Sequence, residues 1–173
     1  MDIYRTLDTI PLLPESVLTI GTFDGCHRGH QEIIKKVYSL AQFNNTTSVL
    51  ITFDPHPRHV LESGDKLPLL MHMNKKLEIL KSLHLDVVLV IPFNEEFSHI
   101  KAGDFLQDIV VRHFKPTCII IGYDHHFGYK REGSPEFLED YCSKKAIGLE
   151  VIRKVSDEGH VISSTHIRQL IQD

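Results

Sequence analysis

Five short runs of mostly aliphatic residues, 17–20, 48–53, 86–91, 117–121 and 149–155, are each separated from the next by a segment with helical spacing. No other feature narrows the fold as far. Each run reads as a strand buried on both faces, the habit of parallel strands covered by crossover helices. Between the first two, residues 31–43 place Ile33, Ile34, Val37, Leu40 and Ala41 on one helical face and Glu32, Lys35, Lys36 and Gln42 on the other, and Asn44 and Asn45 end the helix. Asn74 reads as the N-cap of a helix through residue 84 that turns Leu77, Leu80 and Leu83 inward. Residues 103–113 form a third helix, burying Phe105, Leu106, Ile109 and Val110 and closed by Lys115 and Pro116. Ser134, Pro135 and Glu136 announce a fourth, with Phe137, Leu138, Tyr141 and Cys142 inward and Gly148 at its end.

Strands alternating with helices in this way predict an α/β fold, a Rossmann-like doubly wound parallel sheet of about five strands with helices on both faces. At 173 residues the chain fits one domain. Residues 1–16 read as an irregular lead-in, 54–58 as a Pro-interrupted break in both ladder and helix, and 60–73 as a loop.

In such a sheet ligands lie beyond the carboxyl ends of the strands, and four polar segments fall there. The first is GTFDGCHRGH, residues 21–30. Gly21, Gly25 and Gly29 free the backbone to turn tightly or approach a ligand, and the following helix aims free N–H groups and a positive dipole end at an anion. His27 and His30 add imidazoles at the same end. The segment matches neither the dinucleotide glycine fingerprint nor the P-loop lysine pattern, and on its own a plain tight turn with surface histidines is the alternative. SSTHIR, residues 163–168, offers Ser163, Ser164 and Thr165 at a helix N-terminus with Arg168 one turn on. Alone it is an N-cap with a surface arginine; beside the first segment it makes a second anion clamp, and two such sites at one sheet edge suit a triphosphate. TFDPHPR, residues 52–58, and GYDHHFGYKREG, residues 122–133, follow the second and fourth runs.

The formal net charge of -4 gives no bulk attraction for nucleic acid, though a local anion site need not follow it. Cys26, Cys118 and Cys142 are odd in number and lack metal-type spacing, so they read as reduced thiols. With no signal peptide and no apolar run near the roughly 18 residues of a membrane helix, the expectation is a cytoplasmic protein without membrane contact. His27, His30, His56, His59, His125 and His126 match no metalloprotease or Cys-x-x-Cys pattern, which counts against zinc. Cys26 lies near a helix start but has no assignable base, which counts against a nucleophile.

In this order and spacing GTFDGCHRGH, TFDPHPR, the 122–133 loop and ISSTHIR resemble the FAD synthetase (FMN adenylyltransferase) module of bacterial bifunctional riboflavin kinase/FAD synthetases, in the nucleotidylyltransferase superfamily. The resemblance covers nearly the whole chain from about Val17 on. It implies transfer of AMP from ATP to FMN, with Mg2+, giving FAD and pyrophosphate. It implies that His27, His30 and Arg168 are catalytic. Gly21, Thr22, Phe23, Asp24, Gly29, Gly122, Asp124, Ser163, Ser164 and Thr165 would join His30 and Arg168 in holding ATP. Phe53, Asp54, Pro55, His56, Pro57 and Phe127 would form the flavin side, and no metal ligand is assigned.

The family loop reads Gly-x-Asp-Phe-x-Phe-Gly; Gly122, Asp124, Phe127 and Gly128 match, and His125 replaces the first aromatic. The family normally continues for roughly 120 residues more, as a riboflavin kinase module. The expectation is therefore a single adenylyltransferase domain over 1–173 that does not phosphorylate riboflavin and draws FMN from a riboflavin kinase domain or protein. Two other readings stand beside it. A nucleotidylyltransferase for another small acceptor is opposed by TFDPHPR, and a non-catalytic flavin- or nucleotide-binding module by His27, His30 and Arg168.

Overall fold

The structure, a computed structural model, describes residues 1–62, 67–154, 156–157 and 160–172. Six strands, β1 (Asp2–Tyr4), β2 (Ser16–Ile20), β3 (Thr47–Asp54), β4 (Val87–Pro92), β5 (Pro116–Gly122) and β6 (Gly148–Ile152), form one sheet in the order β1-β4-β3-β2-β5-β6. Every pairing in it is parallel. All five residues of β2 are buried, as an interior strand requires. From β2 the chain adds β3 and β4 on one side, then crosses over to β5 and β6 on the other. The carboxyl ends of β2 and β5 thus flank the point where strand order reverses, and there a crevice opens. A small antiparallel hairpin, β7 (Ser156–Asp157) with β8 (His160–Val161), follows the sheet.

The crossovers hold α1 (Arg28–Asn44), α2 (Pro57–Leu61), α3 (Met73–Ser82), α4 (Glu95–Ser98), a composite helix and α7 (Pro135–Lys145), and α8 (Ser164–Gln172) follows the last strand. The composite runs without a break through α5 (Ala102–Asp104), a π-helical stretch Phe105–Val111, and α6 (Arg112–Phe114). Alternate strand residues feed two cores. Val17, Leu50, Val88, Val90 and Ile120 cluster with Ile33, Ile34, Val37 and Ala41 of α1 and Leu80 of α3. Leu18, Ile20, Val49, Ile51, Leu89, Ile119 and Ile121 cluster with Phe105, Leu106, Ile109, Val110 and Phe114 of the composite helix and Leu138 and Cys142 of α7. Full burial of such a side chain stabilises by about 1.5–3 kcal/mol, so the two packed faces dominate what holds the sheet.

Several boundaries differ from those read in the sequence. The lead-in holds a sixth strand, β1, paired with β4 from Asp2–Val87 to Tyr4–Leu89. Three residues, two of them exposed, leave no burial pattern to detect. Residue 54 continues β3, and Pro57 opens α2 instead of breaking a helix, because a first-turn proline has no bond to lose. α3 begins at Met73 with His72 as its cap, two residues before the expected cap Asn74, and ends at Ser82. Of the 60–73 loop, Val60 and Leu61 finish α2, while 63–66 lie outside the described residues. α7 ends at Lys145 with Ala146 left-handed, and Gly148 opens β6. The fifth run stops as a strand at Ile152, and Val155 lies outside the described residues. Among the described residues no helix is long and apolar enough to cross a membrane.

Candidate active site

After β2 the backbone turns through three left-handed residues, Phe23 (φ 48°), Gly25 (φ 79°) and Cys26 (φ 41°). Only the second is a glycine, where a Cβ would add a 2.9 Å contact with the Leu70 side chain to the strain of a positive φ. The strain at Phe23 and Cys26 is held by anchors on both sides. The Thr22 carbonyl accepts from Lys76 Nζ at 2.6 Å and from the Thr52 hydroxyl at 3.2 Å, and Gln31 Nε2 donates to the Cys26 carbonyl at 2.9 Å. Burial pushes the Cys26 thiol up to about 11, so it stays protonated and acts as a small core residue.

The turn delivers His27 to the head of α1 as its N-cap, where Nδ1 accepts from the His30 amide at 3.4 Å. The two imidazoles stack with centroids 3.6 Å apart, and the Phe23 ring meets His30 edge-on at 5.2 Å. Burial first, then His27 and Lys76, hold His30 at about 3. Burial also lowers His27, against the pull of Asp124 and Asp24. A helix N-terminus reinforces the neutral forms. The head of α1 therefore offers N–H donors and two uncharged imidazoles, a site that gains most when an anion arrives.

α8 closes the opposite flank. The Ser163 hydroxyl caps it, accepting from the His166 amide at 3.2 Å, and the Ser164 hydroxyl donates to the Asp24 carbonyl at 2.9 Å. Arg168 forms an ion pair with the buried Asp24 carboxylate and gives Nε to the Pro68 carbonyl at 2.8 Å. The same carboxylate oxygen accepts from the Leu70 amide at 3.2 Å. Asp24 and Arg168, both expected to face nucleotide, are thus bound to each other, and among the described residues Nη1 of the guanidinium and the Thr165 hydroxyl have no hydrogen-bond partner.

Beyond β3 and β5 the wall turns aromatic. Phe53 lies 5.7 Å from Phe93 and 6.1 Å from Phe97, Phe97 meets Phe105 at 6.1 Å, Phe105 meets Phe127 at 5.6 Å, and His125 stacks on Phe127 at 5.4 Å. His56 caps α2, its Nδ1 accepting from the Arg58 amide at 3.2 Å, and burial lowers it to about 4. The 122–133 loop is clasped to the composite helix: Glu132 accepts from the Ala102 amide at 2.7 Å and the Tyr129 amide donates to Ile100 at 2.9 Å.

These walls enclose one cavity of about 1040 Å³. It brings together Gly21, Thr22, Phe23, Asp24, His27, Gly29, His30, Phe53, His56, Pro57, Gly122, Asp124, Phe127, Ser163, Ser164, Thr165 and Arg168. Asp54 and Pro55 are off its wall and exposed. A smaller hollow of about 580 Å³, at the amino ends of the strands around Glu15, Thr47 and Asp86, contains none of the motif residues. Sequence reasoning missed Phe93 and Phe97, which follow β4 and carry a spacing of four, and Tyr129. It also missed Lys76, whose signal was a charge on the inward stripe of α3, four residues before Leu80.

A helix N-terminus at the switch point of an open parallel sheet marks the chain as a Rossmann-like α/β domain with its cavity at the strand-order reversal. Residues 10–166 match the FAD synthetase family. The chain is 34% identical over 157 residues to the bifunctional riboflavin kinase/FMN adenylyltransferase of Buchnera aphidicola subsp. Schizaphis graminum, covering 90% of this chain and 50% of that protein. It is 30% identical over 176 residues to the protein of that name from Escherichia coli K12, covering 100% and 56%. A Streptococcus pneumoniae structure described as a macrolide-efflux protein superposes with a TM-score of 0.85 at 26% identity, over 99% of this chain and 56% of that one. Pantothenate synthetase from Thermus thermophilus, at 10% identity and a TM-score of 0.58 over 96% of this chain and 67% of that one, shares the fold alone. The chain belongs to the FAD synthetase family. It spans about half the length of the curated relatives it matches.

Proposed function

We propose that this chain transfers AMP from ATP to FMN, giving FAD and pyrophosphate. The observation that carries the reading is a cavity that joins a polar end at His27, His30 and α8 to an aromatic end at Phe53, Phe97, Phe105 and Phe127. The FMN phosphate is a competent nucleophile at neutral pH. Its oxygen attacks the α-phosphorus, a new P–O bond forms as the bond to the bridging α,β oxygen breaks, and pyrophosphate leaves with the electron pair. The protein's task is alignment and neutralisation of the charge that develops on the leaving group. The imidazoles of His27 and His30, neutral in the empty site, gain basicity beside a triphosphate, so hydrogen bonds to it strengthen as pyrophosphate departs. Arg168 Nη1 and the α8 amides take the outer phosphates.

Mg2+ supplies charge neutralisation on the triphosphate when bound. Among the described residues no cluster of three or more His, Cys, Asp or Glu could hold a metal ion.

Pyrophosphate release with ATP, Mg2+ and FMN tests the reading directly. We expect release with FMN and none with riboflavin, whose 5′-hydroxyl lacks the phosphate nucleophile. His30→Ala should lower turnover by about two to three orders of magnitude with the fold intact, as for loss of a preorganised donor to developing charge. Tight ATP and FMN binding without release would instead support a binding module, and release with a different phosphorylated acceptor another nucleotidylyltransferase.

A further inference from the structure

Lys76 has no part in the chemistry above. It projects from α3, is 5% exposed, and lies off the cavity wall. Its Nζ donates to one group, the Thr22 carbonyl, and forms no ion pair among the described residues. Asp24 and Cys26 of the turn and Asp54 at the end of β3 act on its charge from a distance, and His30 on α1 and His56 at the head of α2 feel it in return. An ammonium removed from water for one neutral carbonyl is a poor device for stability.

Its geometric effect is on the peptide it holds. The Thr22–Phe23 peptide is trans, and in a planar trans peptide the C=O and the following N–H point in opposite directions. With the Thr22 oxygen drawn toward Lys76 and Thr52, the Phe23 N–H points to the other side, where Thr22 and Phe23 line the cavity. That amide has no hydrogen-bond partner among the described residues. We infer that Lys76 is a positioning residue for adenylyl transfer, holding the Thr22 carbonyl from behind so that the Phe23 amide donates to the phosphates of the nucleoside triphosphate. This rests on the adenylyltransferase reading.

Two variants of the full chain test it. Lys76→Met keeps the length of the side chain and removes donor and charge. We expect kcat to fall about 10- to 100-fold, the cost of a misplaced donor, with KM raised for ATP and unchanged for FMN. The thermal midpoint should hold or rise, since exchanging a buried charge for an apolar isostere is commonly neutral or stabilising. Lys76→Gln keeps one donor for Thr22 without the charge and should recover most of kcat. In both variants the His30 imidazole, relieved of a positive neighbour, should begin to protonate at a higher pH by NMR titration. A Met variant with normal kcat and ATP affinity, or a Gln variant as slow as the Met one, would overturn the inference. A fall in thermal midpoint with kinetics and His30 titration unmoved would also overturn it, as the mark of a purely structural residue. If Lys76→Met does not fold, Lys76→Ala takes its place beside Lys76→Gln: a slow Ala variant with KM raised for ATP and a Gln variant near wild type support the inference, and equal kinetics in the two overturn it. If the wild-type chain releases no pyrophosphate, the parent reading fails instead. Calorimetry with a non-hydrolysable α,β-bridged ATP analogue then tests Lys76 by itself, weaker binding to Lys76→Met supporting the inference and equal binding refuting it.

Discussion

Three histidines in the cavity wall resist protonation: His30 at about 3, His56 at about 4 and His125 at about 4, against an ordinary 6.5, with burial the first cause in each. The consequence for stability has a definite sign. Above pH 6.5 both folded and unfolded states hold these rings neutral. As pH falls from 6.5 toward 4, the unfolded chain takes up protons that the folded chain refuses, and the folded state loses stability. His125→Phe restores the aromatic of the family loop and removes one such ring. We expect its denaturant-unfolding free energy to vary less steeply between pH 6.5 and 4, by about one proton, and an unchanged slope would mean that His125 protonates freely in the native state. At this scale the sequence was legible where chemistry and spacing coincide. His27 and His30 read as a pair because residues three apart at a helix head share a face, and they stack. The pairing of Arg168 with Asp24 could not be read, because it joins residues 144 positions apart through a turn whose left-handed residues include Phe23 and Cys26.

Among the elements, the 122–133 loop shows how a backbone constraint sets part of the cavity wall. Gly128 has φ 73°, and a Cβ on it would lie 2.7 Å from the Ala102 backbone. Gly128→Ala should push the loop off the composite helix and carry Phe127 and Tyr129 with it. Steady-state kinetics should show KM for FMN raised about tenfold or more, with KM for ATP little changed, the mark of a lost acceptor wall far from the phosphates. Equal rises for both substrates would show that the loop serves the whole cavity. Elements whose ends carry side-chain chemistry were readable: Ser134 caps α7 by accepting from the Phe137 amide at 3.2 Å, and Asn45 ends α1 in the left-handed conformation. The π-helical stretch Phe105–Val111 and the entry to α2 were not, since the first keeps an ordinary apolar face and the second depends on where a proline falls in its turn.

For the whole molecule, unbroken aliphatic runs announced a parallel sheet, but strand order is a property of crossovers and left no mark in the sequence. The same order explains how α8 is held. Its Leu170 and Ile171 are 64% and 71% exposed, and the polar set of Ser164, Arg168, Asp24 and Pro68 ties it to the body. Arg168→Met should therefore lower amide-exchange protection throughout α8 while α1, packed on its apolar face, keeps its own. Full protection of α8 in that variant would show that apolar contacts suffice.

The Asp24–Arg168 pair has one further consequence, for the time course of folding. It closes a loop of 144 residues, and the Ser164 bond to the Asp24 carbonyl closes one of 140. Contacts that distant form after the local ones that make them affordable in entropy. A chain with β2 to β5 and α1 in place already has the head of α1, yet lacks the flank that α8 supplies. Competence to grip a triphosphate should accordingly be the last property a refolding chain acquires, and nucleotide binding followed in time would act as a clock for completion of the fold.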